Sequence, residues 1–268
     1  MSLKEWWRWY RALPQNPIYL REKGTWGNPN PFYDNLLRFS PFVLLGVIVL
    51  GFCTGFNNPA FFADNDALFA VYCLLCLPGI LLSMLTIFGS LMAPALTAPT
   101  ISMERDRGTW DILRVTPQPT ASILLAKLFG ALARLRIWPV LFLLSAFQGL
   151  IMFCSLTVMG GDTAVWGGIV GLMTLLRPWL EVLFAAFMGM FVSTAVRSAT
   201  MALASTYALV VIVRLFNSSG VWLGVASIMS AKDTTMLIAS SVGPTAVYLT
   251  AVLGLWGGIL YQARRISE

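Results

Sequence analysis

Two sets of residues in this chain could do chemistry, and their surroundings differ. Arg177 and Glu181 stand in an otherwise apolar run and, at i, i+4, share one helix face, where a guanidinium and a carboxylate can form an ion pair. Each alone would cost about 2.5–3.5 kcal/mol at a bilayer centre on insertion scales, so both are expected to face protein or a water-filled path. Pro178 between them weakens the helix and offers a place for a kink. Two roles fit this intramembrane polar pair equally: a polar substrate path or hinge, and an internal ion pair that fixes helix packing. The second set is the stretch ISMERDRGTWDILRVTPQPTASILLAK, from Ile101 to Lys127, whose charge density far exceeds that of its flanks. Such a stretch meets water or a partner. Metal and redox chemistry find little support, since the chain has no histidine and Cys73 and Cys76, though i, i+3 on a helix face, lack a second ligand pair. With Cys53 and Cys154 they read as small side chains buried in apolar runs, and no metal site or cofactor is expected on this chain.

The elements that must position these residues follow from composition. Hydrophobic residues make up 57% of the 268, charged residues only 11%, and the mean hydropathy is +0.75. A soluble domain carries about 25% charged residues, so water is not the main solvent here. The apolar residues gather into runs long enough to cross a hydrocarbon layer of about 30 Å. Spans are expected over residues 39–57, 67–96, 123–158, 168–192, 199–216 and 243–262, which makes an all-α integral membrane protein of about six transmembrane helices. The second and third are overlong, leaving a part of each to project from the membrane or lie along its surface. Pro94, Pro99 and the basic stretch Ala131 to Arg136 mark the places where this would happen. Residues 217–242 are too mixed to span and too apolar for a plain loop, so a short re-entrant or interfacial hairpin on the outer side is expected.

A formal charge of +6 and a pI near 9.4 would suit a nucleic-acid partner, but the basic residues lie between the spans, on one side. Lys4, Arg8, Arg11, Arg21, Lys23 and Arg38 precede the first span, and Arg105, Arg107, Arg114, Lys127, Arg134 and Arg136 lie around the second connection. The opposite connections hold little beyond Asp64, Asp66, Asp162, Lys232 and Asp233. This positive-inside pattern, with Arg264 and Arg265 at the end, predicts a cytoplasmic membrane protein with both termini cytoplasmic and no nucleic-acid partner. Residues 1–38 then form a cytoplasmic segment and 39–268 the transmembrane domain. In the former, Trp6, Trp7, Trp9 and Tyr10 interleave with Lys4, Arg8 and Arg11, which suits an amphipathic helix lying in the lipid headgroup layer. No apolar stretch there has the form of a cleavable signal peptide, so none is expected. Arg214, near the outer end of the fifth span, is expected to snorkel to the interface.

Within the charged stretch, Glu104, Arg105, Asp106 and Arg107 continue the second span's helix, Gly108 permits a break, and Thr109 can cap a new turn with Asp111 near its positive end. Pro117 and Pro119 end that second piece, and Thr120 is placed to cap the helix leading into Ile123, Leu124 and Leu125. Trp110, Ile112 and Leu113 are the expected apolar knobs. This stretch resembles the permeases of type-2 ATP-binding-cassette exporters, whose loop between the second and third spans commonly reads E-R-x-x-G-T-x-x-x-L-x-x-T-P followed by I-L-x-x-K. The matching residues are Glu104, Arg105, Gly108, Thr109, Leu113, Thr116, Pro117, Ile123, Leu124 and Lys127. Trp110 and Asp111 depart from it, where an apolar residue followed by Glu is expected.

The resemblance implies that Glu104, Arg105, Arg107, Gly108, Thr109, Trp110, Asp111 and Leu113 form a cytoplasmic coupling helix that docks on an ATPase, with Trp110 projecting into the partner. It implies export, cytoplasmic ABC ATPase subunits as partners, and a second permease chain, identical or related. No G-x-x-x-x-G-K-[ST] phosphate loop occurs, so ATP and magnesium are expected on the partner ATPase and this chain is not expected to be an enzyme. An ordinary solvated loop would explain the arginines but not the glycine break, the Thr-Pro stop and their joint spacing. Two other readings stay open: a non-transporting anchor or assembly subunit, and a lipid-modifying membrane enzyme, against which the scarcity of acids and the lack of histidine argue. The substrate is not legible.

Overall fold

The computed structural model describes residues 11–24, 35, 39, 77–116, 118–158, 163–218, 220–222 and 233–267. Among them there is no strand. The helices are α1 (Pro17–Lys23), α2 (Leu77–Thr97), α3 (Pro99–Asp106), α4 (Trp110–Arg114), α5 (Thr120–Arg134), α6 (Trp138–Val158), α7 (Thr163–Ala195), α8 (Ala199–Phe216) and α9 (Asp233–Ser267). Four stretches among the described residues are long and apolar enough to cross a membrane: Pro78–Asp106, Val165–Ala195, Ala199–Trp222 and Ala239–Gln262. The pair Thr120–Arg134 and Trp138–Cys154 makes a fifth if the two are taken as one bent span. The expected span 39–57, apart from Phe39, and the start of the second lie outside the described residues, as do Trp6, Trp7, Arg8 and Trp9.

Both overlong spans divide where the sequence marks them. The stretch Pro78–Asp106 has 29 residues, about 43 Å at 1.5 Å per residue, well beyond a hydrocarbon core of about 30 Å. Its surplus turns are α3, set off from α2 at Pro99. The third span breaks between Arg134 and Trp138, and α5 and α6 meet there at 77°. The indole N–H of Trp138 donates at 2.7 Å to the Leu132 carbonyl, which also accepts the Leu135 N–H at 3.0 Å where α5 ends.

α7 is the central pole, packed against α2, α6, α8 and α9. Its buried face, with Val182, Phe184, Ala185, Ala186 and Met190, forms the middle of the core. Small residues let helices close in where the hydrophobic effect gives no help. A Cβ on Gly149 of α6 would come within 2.9 Å of the Gly171 carbonyl of α7, and one on Gly171 within 2.8 Å of the Gly149 carbonyl. Trp179 fills the next layer, stacked on Trp138 with ring centroids 5.3 Å apart. Helix hydroxyls are largely satisfied within their own helices: Thr86, Thr97, Ser102 and Thr206 each donate to the carbonyl four residues earlier. Outward-facing Phe142, Leu143, Leu150, Ile212 and Leu253 are exposed, as a surface solvated by lipid requires.

Residues 223–232 of the expected outer hairpin lie outside the described residues, and residues 233–242 already belong to the last helix, which begins at Asp233. Buried Asn217 closes the gap: its amide donates to the Pro244 carbonyl at 2.9 Å and its oxygen accepts from the Trp222 indole at 2.8 Å.

Candidate functional site

The corner between α3 and α4 starts with a backbone device. The Gly108 N–H donates to the Arg105 carbonyl at 3.3 Å and the Thr109 N–H to the Glu104 carbonyl at 2.9 Å, with Gly108 at φ +68°. This is a Schellman ending, in which a left-handed residue turns the chain back onto the last carbonyls of the helix. The expected glycine break is therefore present, and the chain re-enters a helix at Trp110. Thr109 stands at the N-cap position of α4, but its hydroxyl donates back to the Glu104 carbonyl at 3.3 Å instead of capping the new helix. Thr120 is likewise the first residue of α5 and not its cap, a place taken by Pro119.

Three side chains tie this corner to the bundle. The Glu104 carboxylate accepts from Lys127 Nζ at 2.7 Å, and the same ammonium donates to Glu22 Oε1 at 3.1 Å. Arg21 of α1 approaches Glu104 at 3.7 Å. Lys127 is only 1% exposed, so this is a buried ion pair that joins α1, α3 and α5. Arg105 donates to the Thr194 carbonyl at 2.9 Å, placing a cation on the last turn of α7, where carbonyls lack helical partners. Ser193 Oγ accepts from the Ile101 and Ser102 amides at 3.1 and 3.0 Å. The corner is thus locked to the central helix on one side and to α5 on the other.

Its outer surface differs from the expectation. Trp110 is 4% exposed and belongs to the core, so it braces the corner from within and does not project. Leu113 of the same short helix packs against the same core. The residues that face outward are Asp106, Arg107 and Gly108 at the tip, with Ile112 at 70% and Val115 at 86% exposed. Asp111 lies on α4 between them.

The second set of polar residues lines a cavity of about 320 Å³ at the end of the bundle away from this corner. Arg177, Pro178 and Glu181 of α7 face it, with Thr86 of α2, Gln148 of α6, Arg214 of α8 and Ser240 and Ser241 of α9. Arg177 and Glu181 share this lining, as their spacing predicts. The ion pair described for Glu181, however, is to Arg214 at 2.8 Å, and Arg214 also donates to Ser90 at 3.0 Å. Arg214 therefore turns inward and does not snorkel: a buried carboxylate on α7 draws it more strongly than the interface does.

A family model described as ABC-2 family transporter protein matches residues 22–259. The chain belongs to the ABC-2 transporter family. No curated protein and no solved structure matches it. An ABC-2 family chain with several apolar spanning helices is a multi-pass membrane protein with the role of a transport permease. Membrane subunits of this family are in general not catalytic themselves, and association with a cytoplasmic ATPase is general to it. Within this ABC-2 chain the two ends of the recognised motif, Glu104 and Lys127, meet in space, which accounts for a spacing that local helix signals leave unexplained. Glu22, Arg21, Ser193 and Arg214 were not expected at either site. Only charge type pointed to Glu22, Arg21 and Arg214, and nothing pointed to Ser193, since each reaches its partner across a long stretch of chain.

Proposed function

We propose that this chain is the permease half of an ATP-driven exporter in the cytoplasmic membrane, with both termini cytoplasmic and with ATP and magnesium bound and hydrolysed on a separate ABC ATPase. The corner from Glu104 to Leu113 is its docking element, and a second permease chain, identical or related, completes the transporter. The observation that carries this reading is the attachment of an exposed corner to buried structure: Glu104 to Lys127 of α5, and Arg105 to the end of α7. A push on the exposed Arg107–Ile112–Val115 surface would move α5 and α7 with it, because neither link can yield without leaving a charge buried or a carbonyl unbonded. α1, within the expected cytoplasmic segment, would brace the corner through Glu22 and Arg21.

The test is co-purification of a Walker-motif ATPase with the tagged chain in mild detergent. Wild type should bring the ATPase down, and the double variant R107E/I112D should lose it without any fall in its own thermal stability, since both side chains are exposed. W110A serves as the contrast: it should lower thermal stability by about 3–5 kcal/mol, as large aromatic deletions in cores do. A wild-type preparation that never carries an ATPase would turn the reading toward an anchor or assembly subunit.

A further inference from the structure

The elbow between α5 and α6 sorts its charges by depth. Its acids turn inward: Glu22 and Glu104 both meet buried Lys127. The cations Lys23 and Arg136 are exposed instead. Arg136 stands between buried Leu135 and Ile137, where the chain leaves α5 through an extended residue, so its two neighbours take the inward places and leave the guanidinium outside. Lys23 is brought to the same end of α5 by close packing. A Cβ on Gly130 would come within 2.7 Å of Glu22 Cβ and 3.0 Å of the Tyr19 carbonyl, so α1 lies directly on α5 there. Gly24, at φ +80°, ends α1, and a Cβ on it would stand 3.1 Å from Arg134 Nη2. The last turn of α1 therefore reaches the end of α5, two residues before Arg136. Lys23 lies over the Tyr19 ring, 5.8 Å from its centroid.

The elbow also has a defined height. α5 and α6 meet at 77°, so with α6 crossing the membrane α5 runs near its plane. Just beyond Arg136, α6 exposes Val140, Phe142 and Leu143, an apolar flank for acyl chains. Four residues at 1.5 Å each rise about 6 Å, which sets Arg136 in a headgroup layer about 5–7 Å deep on each side of the hydrocarbon. We propose that this elbow binds the phosphate of an anionic phospholipid, with Arg136 and Lys23 as its cations and Val140, Phe142 and Leu143 along its acyl chains. Arg134 already has a partner and serves to seat α1. A free phosphate would meet the cations but not the apolar flank, so the occupant is a lipid. Because α5 also carries Lys127, a lipid that holds its end steadies the Glu104 corner. That consequence rests on the permease reading; the lipid site does not.

The full chain in a neutral maltoside detergent is titrated with phosphatidylglycerol or phosphatidylcholine labelled by a fluorophore on one acyl chain, and binding is read as energy transfer from the chain's tryptophans. Phosphatidylglycerol should bind more tightly, by about fivefold for each cation engaged, the effect of one basic side chain at an anionic surface. R136Q should lower the preference about fivefold, K23Q/R136Q should abolish it, and R136K should restore most of it. All these side chains are exposed, so thermal midpoints should not change. R197Q, which removes an exposed arginine between α7 and α8, should keep the full preference. Equal binding of the two lipids by wild type, or a preference that survives K23Q/R136Q, overturns the site. So does a loss in R197Q as large as that in R136Q, which would mean attraction by net charge alone. Inorganic phosphate that displaces the lipid at equal concentration overturns the lipid as occupant. A chain with the preference that never carries an ATPase keeps the lipid site and overturns its consequence for the corner; an ATPase-bound chain without the preference overturns the lipid site and leaves the permease reading standing.

Discussion

Lys127 keeps a positive charge with almost no solvent contact because two carboxylates reach it, Glu104 at 2.7 Å and Glu22 at 3.1 Å. Removing one member of such a pair costs more than removing both, since the remaining charge is stranded. K127M leaves buried Glu104 with only the more distant Arg21 at 3.7 Å and should lower stability by about 3–5 kcal/mol. E104Q leaves the ammonium on Glu22 and should cost less, and E104M/K127M should recover much of the loss. Thermal unfolding of the detergent-solubilised chain gives the order directly; a double variant no more stable than K127M would show that the pair does not act as a unit. The sequence shows Glu104 and Lys127 as motif positions, and it shows Arg177 and Glu181 as neighbours on one face. It does not show that Glu181 meets Arg214, because helical spacing speaks only of contacts within one helix. Trp110 departs from its expected place for a related reason. An aromatic residue in a charged loop looks like a surface anchor until the packing of α4 shows which of its few positions faces the core.

At the scale of elements, the bend between α3 and α4 depends on one backbone conformation. Gly108 has φ +68°, and a Cβ placed there would meet nothing within 4 Å, so any penalty for substitution is conformational and not steric. G108A should therefore cost about 1–2 kcal/mol, and G108N, whose side chain tolerates the left-handed region, should cost less. Thermal midpoints of the two variants settle the order; an alanine variant as stable as wild type would mean that the turn is not held in this form. Breaks of this kind are well marked in sequence, because glycine, proline and clustered charge act locally. The same holds for Pro99 between α2 and α3 and for the basic stretch at the 77° bend between α5 and α6. The last span is expected from 243, the spanning stretch starts at Ala239, and the helix that carries it already runs from Asp233, since Lys232 and Asp233 argue against a span but not against a helix. Membrane-crossing hydropathy marks the apolar part of a helix and not its ends.

For the whole molecule, the question is how movement at an exposed corner would reach a cavity at the other end of the bundle. α7 connects them: its last turn accepts from Arg105 at the Thr194 carbonyl, and Arg177 and Glu181 lie further along the same helix. Thr194 also bonds Gln262 of α9, so the end of the pole is shared by the last helix. A charge-assisted bond of this type is worth about 1.5–3 kcal/mol, which corresponds to a tenfold or larger bias between two arrangements of the corner. R105Q removes the charge while leaving the exposed Arg107, Ile112 and Val115 surface untouched. The variant should still co-purify with its ATPase in wild-type amount, yet substrate-stimulated ATP hydrolysis in reconstituted vesicles should fall about tenfold. Loss of the ATPase itself would place Arg105 in the docking surface and not behind it. Full stimulation in R105Q would mean that movement passes through the Glu104–Lys127 link and α5 instead, and K127M assayed in the same vesicles would then carry the defect.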